Sequence, residues 1–148
     1  MRFAGDSGAP RSTTPASRSR RALALVYEAL LLFALLLVGS LPFVMVAHDA
    51  DRVAARPLFQ LYLFAMTAVY FVWQWRHGGQ TLAMKTWRIR LVTRDGARLT
   101  WSRALSRFLL ALAGTLLLGA GFLWALVDRD GLFLHDRLAG TKIVRDDL

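Results

Sequence analysis

ALALVYEALLLFALLL, residues 22–37, holds fifteen residues suited to hydrocarbon and one carboxylate, Glu28. The run continues to residue 47, giving 26 residues with a single formal charge. About 20 apolar residues span a bilayer core, so this segment can cross with tilt to spare. Two more blocks follow. Residues 57–75 have Gln60 and Gln74, one near each end, as their strongly polar members, and residues 104–126 carry Arg107 close to their start. A 148-residue chain cannot bury three such faces in one soluble core. The expected fold class is an all-α membrane protein with three hydrophobic helical segments, at about 22–47, 57–75 and 104–126.

A cleaved signal peptide competes for the first block, but its apolar core should be about 7–15 residues with small residues after it. This run is longer and ends in Leu41-Pro42-Phe43-Val44-Met45.

The net charge of +9 is unevenly placed. Arg2, Arg11, Arg18, Arg20 and Arg21 precede the first block against Asp6 alone. Arg76, Lys85, Arg88, Arg90, Arg94, Arg98 and Arg103 sit between blocks two and three against Asp95. That is the positive-inside pattern, with the N-terminus and the long middle loop cytoplasmic in a multi-pass protein. Anionic lipid headgroups are the expected partners of the basic loop, and nucleic acid is not. There is no cysteine, so disulfides, thiolate metal sites and cysteine nucleophiles are excluded.

Residues 1–19, rich in Gly, Ser, Thr, Pro and Arg, read as a disordered basic tail ahead of a membrane domain at 20–148. Pro57 suits the first turn of the second helix. Trp73-Gln74-Trp75-Arg76 has the composition of an interfacial anchor. Thr81 can cap a short helix, and Thr100 or Ser102 the next one, which carries Arg103 and Arg107 four apart. Trp87-Arg88-Ile89-Arg90-Leu91 alternates like a strand, and Arg94-Asp95-Gly96 supplies a turn, giving a short β-hairpin-like cytoplasmic loop.

Block three reads two ways. Its length favours a single crossing. Gly114, Gly119 and Gly121 instead allow close packing or a re-entrant turn. Thr141-Lys142-Ile143-Val144 is strand-like, and its natural partner is residues 87–92. If they pair, block three must enter and return on one side, shielded by the other helices.

Three stretches together resemble one family. They are Arg20-Arg21 with Glu28, GGQTLAMKTWRIRLVTRDG at residues 78–96, and FLWALVDRDGLFLHDRLAGTKIV at residues 122–144. They resemble the RDD family of bacterial membrane proteins, named for one arginine and two aspartates, over roughly residues 20–145. The resemblance places the arginine at Arg21 or Arg20 and the first acid at Glu28, where the family usually has aspartate. It places the second aspartate at Asp136. What it implies about activity is thin: the family is suspected of transport.

An intramembrane acid is costly and is by default a functional site. Glu28 is either a snorkelling helper or a proton or cation site facing the bundle interior. Arg21, seven residues back, returns to the same face, but side chains lean toward the helix N-terminus and the arginine points away. Arg107 is the better partner: a pair would hold helices together, whereas an unpaired Glu28 could carry protons. His135 and Asp136 could suggest a metal, but only His48 and His77 remain to complete one, so no metal is expected. Asp136 is expected instead to cap a helix or to pair with a basic residue such as Lys85. Residues 78–81 lack phosphate-loop spacing, and no nucleophile–base pair is evident. Neither enzymatic activity nor a cofactor is expected.

The polar site is therefore Arg21, Glu28, Arg107 and Asp136, with Lys85 and His135 as secondary candidates. The expected function is transport of a small ion or solute with Glu28 as coupling or binding residue. The alternative is a non-transporting scaffold or assembly protein. Three segments make a thin wall, so a homo-oligomer is expected.

Overall fold

A computed structural model describes residues 14–48, 51–117 and 119–146. Its elements run α1 (Arg18–Val46), α2 (Arg52–His77), α3 (Leu82–Thr86), β1 (Ile89–Thr93), α4 (Trp101–Leu116), α5 (Ala120–Val127), α6 (Leu134–Ala139) and β2 (Thr141–Arg145).

The side chain of Ser17 caps α1, accepting from the Arg20 N–H at 3.4 Å. Residues 14–19, read from the sequence as part of the tail, are thus among the described residues, with Arg18 and Ser19 already in α1. Pro15 bridges Val144, the Ala16 N–H donates to the Ile143 carbonyl at 3.1 Å, and Ala16 is buried. The open edge of β2 leaves backbone groups to satisfy, and this stretch satisfies them. Residues 1–13 of the tail lie outside the described residues.

Asp51 caps α2 by accepting from the Val53 N–H at 3.0 Å. The helix thus starts at Arg52, and Pro57 falls in its second turn rather than its first. The far halves of α1 and α2 meet closely because Gly39 has no side chain: a Cβ there would lie 2.5 Å from the Met66 sulfur. The Tyr62 hydroxyl donates to the Gly39 carbonyl at 2.8 Å, and Phe43 packs on Phe59 at 5.1 Å. Around that seam the surfaces are bare, with Leu30, Phe33, Val38, Leu61 and Val69 exposed. Both helices are long and apolar enough to cross a membrane.

Block three is not one straight crossing. It breaks into α4 and α5, whose axes meet at 94°. Gly119, at φ 75°, adopts the left-handed conformation that ends a helix without strain in a residue lacking Cβ. Gly114 and Gly121 then let the two backbones touch: a Cβ on Gly121 would lie 3.0 Å from the Gly114 Cα. The glycines serve turn and packing together.

The chain then returns to the middle loop. β1 and β2 pair antiparallel, with Ile89 opposite Arg145, Leu91 opposite Ile143 and Thr93 opposite Thr141. The loop is not a local hairpin: the turn at residues 94–96 forms, with Gly96 N–H donating to the Thr93 carbonyl at 2.9 Å, but the strand pairs with the distant segment 141–145, the partner that its sequence offered. The inward residues of both strands explain this choice. Ile89, Leu91, Ile143 and Leu99 form a buried cluster at the end of the bundle, each contributing about 1.5–3 kcal/mol on burial from water. Strand-like Thr141–Val144 was legible; only the pairing decided its side.

Candidate functional site

Glu28 faces inward from α1. Its Oε1 accepts from the Tyr70 hydroxyl of α2 at 2.7 Å, and its Oε2 accepts from the Thr81 hydroxyl. Thr81 does two jobs at once. Its oxygen also accepts from the Met84 N–H at 3.2 Å, capping α3, so the start of that helix fixes the hydroxyl that meets the carboxylate. Among the described residues Glu28 forms no ion pair; the expected Glu28–Arg107 contact is corrected.

Arg107 is engaged elsewhere. Its Nε lies 2.7 Å from Asp136 Oδ1, with the two side chains 5% and 0% exposed. The Thr141 hydroxyl donates to the same Oδ1 at 3.0 Å, tying β2 to the pair. The Arg107 guanidinium carbon sits 4.1 Å above the Trp75 ring, a cation–π contact. Trp75 is thereby buried, not an interfacial anchor; Trp73 is the exposed one, stacked on His77 and edge-on to Trp101. Asp136 neither caps α6, whose capping position is Phe133, nor meets Lys85, which is exposed away from this cluster.

His135 completes the cluster with its Nε2 3.4 Å from Arg107 Nη2. A guanidinium only donates, so Nε2 accepts and the ring proton sits on Nδ1. Burial first, then the Arg107 charge, pushes its pKa down to about 4. Unfolded, the ring titrates near 6.5. The unfolded chain thus binds the extra proton between these values, and the stability held above about pH 6.5 is lost as pH falls toward 4. The expected loss is about 3 kcal/mol. Detergent-solubilised protein followed by thermal unfolding across this window should show the slope, and His135→Asn should flatten it. An unchanged slope in the variant would refute the assignment.

Arg21 holds a different element. Its Nε donates to the Ala16 carbonyl at 3.1 Å and its Nη1 to the Gly131 carbonyl at 2.5 Å. Gly131 lies in the loop before α6, where Asp128 Oδ2 accepts from the backbone N–H groups of Asp130 at 3.1 Å and Leu132 at 3.0 Å. The Leu132 N–H, aided by the Arg137 guanidinium at Asp128 Oδ1, holds the Asp128 carboxyl below its ordinary pKa. The arginine that opens α1 thus clamps the loop that positions Asp136.

Arg21, Glu28, Arg107 and His135 all border one cavity of about 540 Å³, with Asp136 behind Arg107. Apolar side chains form most of its wall. α1 packs on α2 and α3, and α2 on α4, whereas α1 and α4 are held apart; the cavity fills that gap. Sequence reasoning missed Tyr70, Thr81 and Asp128 as site residues. Thr67, Tyr70 and Gln74 fall on one face of α2 at helical spacing, a polar stripe within an apolar block that could have flagged Tyr70. No cluster of three or more metal-ligating side chains occurs among the described residues.

No curated protein matches this chain, and no solved structure does. The model of the RDD family matches residues 15–140, which include the loop, the sheet's first strand and Arg21, Glu28, Arg107, His135 and Asp136. The chain belongs to the RDD family.

Proposed function

We propose that this chain is an integral inner-membrane protein that moves a small ion or solute, with Glu28 as the residue that binds it. One observation carries the reading. A carboxylate in the most apolar helix is oriented by two hydroxyl donors, lacks a basic partner among the described residues, and borders a cavity. Such a group costs several kcal/mol to place in hydrocarbon, and it persists where it faces protein or a pathway. The basic residues of the middle loop support a cytoplasmic N-terminus and loop, and pairing of β1 with β2 supports β2 lying on the same side as that loop. A reporter fused after Leu148 should therefore be active only in the cytoplasm; a periplasmic signal would sink this topology. Because α1 and α4 leave the cavity open between them, a second copy is the proposed means of closing it.

The test is flux. In vesicles reconstituted with the full chain, Glu28→Gln should reduce uptake of the transported solute about tenfold or more while leaving the thermal unfolding transition in place. Alkali cations and protons are the first solutes to try. Wild-type rates in the variant would remove Glu28 from the role. The scaffold alternative rested on a Glu28–Arg107 pair, and its only structural ground now is Arg107–Asp136.

A further inference from the structure

We propose that the cavity binds a lipophilic organic cation, with the positive charge at the Glu28 carboxylate and the apolar groups against an aromatic wall. This rests on the reading above that Glu28 is a binding residue, and it names the class of molecule bound.

The charges come first. Each Glu28 oxygen takes one hydroxyl hydrogen bond, which leaves lone pairs and a negative charge unmatched by contact with any described cation. The two arginines nearby are occupied. Arg107 is spent on Asp136, the His135 lone pair and the Trp75 face. Arg21 is spent on two backbone carbonyls, about 10 Å from Glu28 along the helix axis at 1.5 Å per residue.

The wall comes second. Phe71, Trp75, Phe108, Phe122 and Phe133 all border the space. Aromatic faces attract cations, most strongly where water is excluded. The guanidinium of Arg107 above Trp75 is an instance of that attraction in this same wall.

Size and donor chemistry come third. A volume of about 540 Å³ lies in the range of small-molecule sites and far exceeds a bare alkali ion. An alkali ion also needs several oxygens to replace its water shell. Here the lining is mostly apolar, and beside the Glu28 carboxylate its side-chain oxygens are only the hydroxyls of Thr67, Thr81 and Thr115. Val26 of α1 both borders the cavity and is exposed, so a molecule dissolved in hydrocarbon can reach the space without crossing water.

The test is equilibrium dialysis of the full chain in lipid nanodiscs with radiolabelled tetraphenylphosphonium, using tetraphenylborate as a competitor of matching shape and opposite charge. Expected are saturable uptake of one cation to a chain and no displacement by the borate. Glu28→Gln should weaken binding about tenfold or more, while Glu28→Asp retains it. Ala111→Phe, which fills the cavity and leaves Glu28 intact, should also abolish binding, and it decides the matter if Glu28→Gln does not fold. Absence of saturable binding, equal displacement by the borate, or unchanged binding in Ala111→Phe would each overturn the inference. Dialysis needs no turnover, so the two proposals fail separately. Alkali-ion flux without phosphonium binding overturns this one alone, and binding without any flux overturns only transport.

Discussion

Asp136→Ala should lower the unfolding free energy by about 3–5 kcal/mol, enough to shift thermal unfolding in detergent by ten degrees or more. The reason is what the substitution leaves behind. Arg107 is buried, its Nε points at Asp136, and its remaining contacts are an imidazole lone pair and an indole face. None of these neutralises a guanidinium. Removing both charges should hurt less than removing one, because a buried pair only partly recovers its desolvation cost. Arg107→Met combined with Asp136→Leu is therefore expected to be more stable than Asp136→Ala alone. If the double variant is the weaker of the two, the cost resides in the lost hydrogen bonds, including that from Thr141, and not in the stranded charge.

Gly79→Ala is the second large effect expected. Gly79 sits at φ 67° between α2 and α3, and a Cβ there would lie 2.8 Å from the Leu91 carbonyl oxygen. Left-handed backbone costs a non-glycine residue about 1–2 kcal/mol. Overlap with a backbone atom, which cannot swing aside like a side-chain tip, adds about 1–3 kcal/mol. The Gly79 carbonyl also accepts from the Leu91 N–H at 2.7 Å, so the strain falls on the junction of α2 with β1. Thr81 follows two residues later and should lose its alignment on Glu28. Gly78→Ala is the internal control. Its φ is −125° and nothing approaches nearer than 3.8 Å, so a change within about 0.5 kcal/mol is expected. Equal effects at both positions would contradict the account.

These two sites differ in how far the sequence disclosed them. Glu28 announces itself, because one charge in an apolar run has no local explanation. Thr81 as a helix cap was also legible, since capping depends only on neighbouring residues. Arg107 with Asp136 was not. Those residues are far apart in the chain, and their meeting depends on α4 and α5 folding back, which three glycines permit without requiring. Trp75 was misread for a related reason: tryptophan beside arginine at a helix end suits an interface, and only a second arginine from α4 draws that ring inside. Pro57 was displaced from the first turn because Asp51, a stronger cap, starts the helix earlier.

The pairing of β1 with β2 also orders events during synthesis. β1 leaves the ribosome before α4, α5 and α6, and its partner β2 is made after all three. Until then Ile89 and Leu91 have no opposing strand, Thr141 cannot reach Asp136, and Pro15 and Ala16 have no edge to join. Contacts between segments distant in the chain form slowly. Residues 15 and 16 are thus fastened to β2 late, and the polar cluster closes only once Thr141 has been delivered.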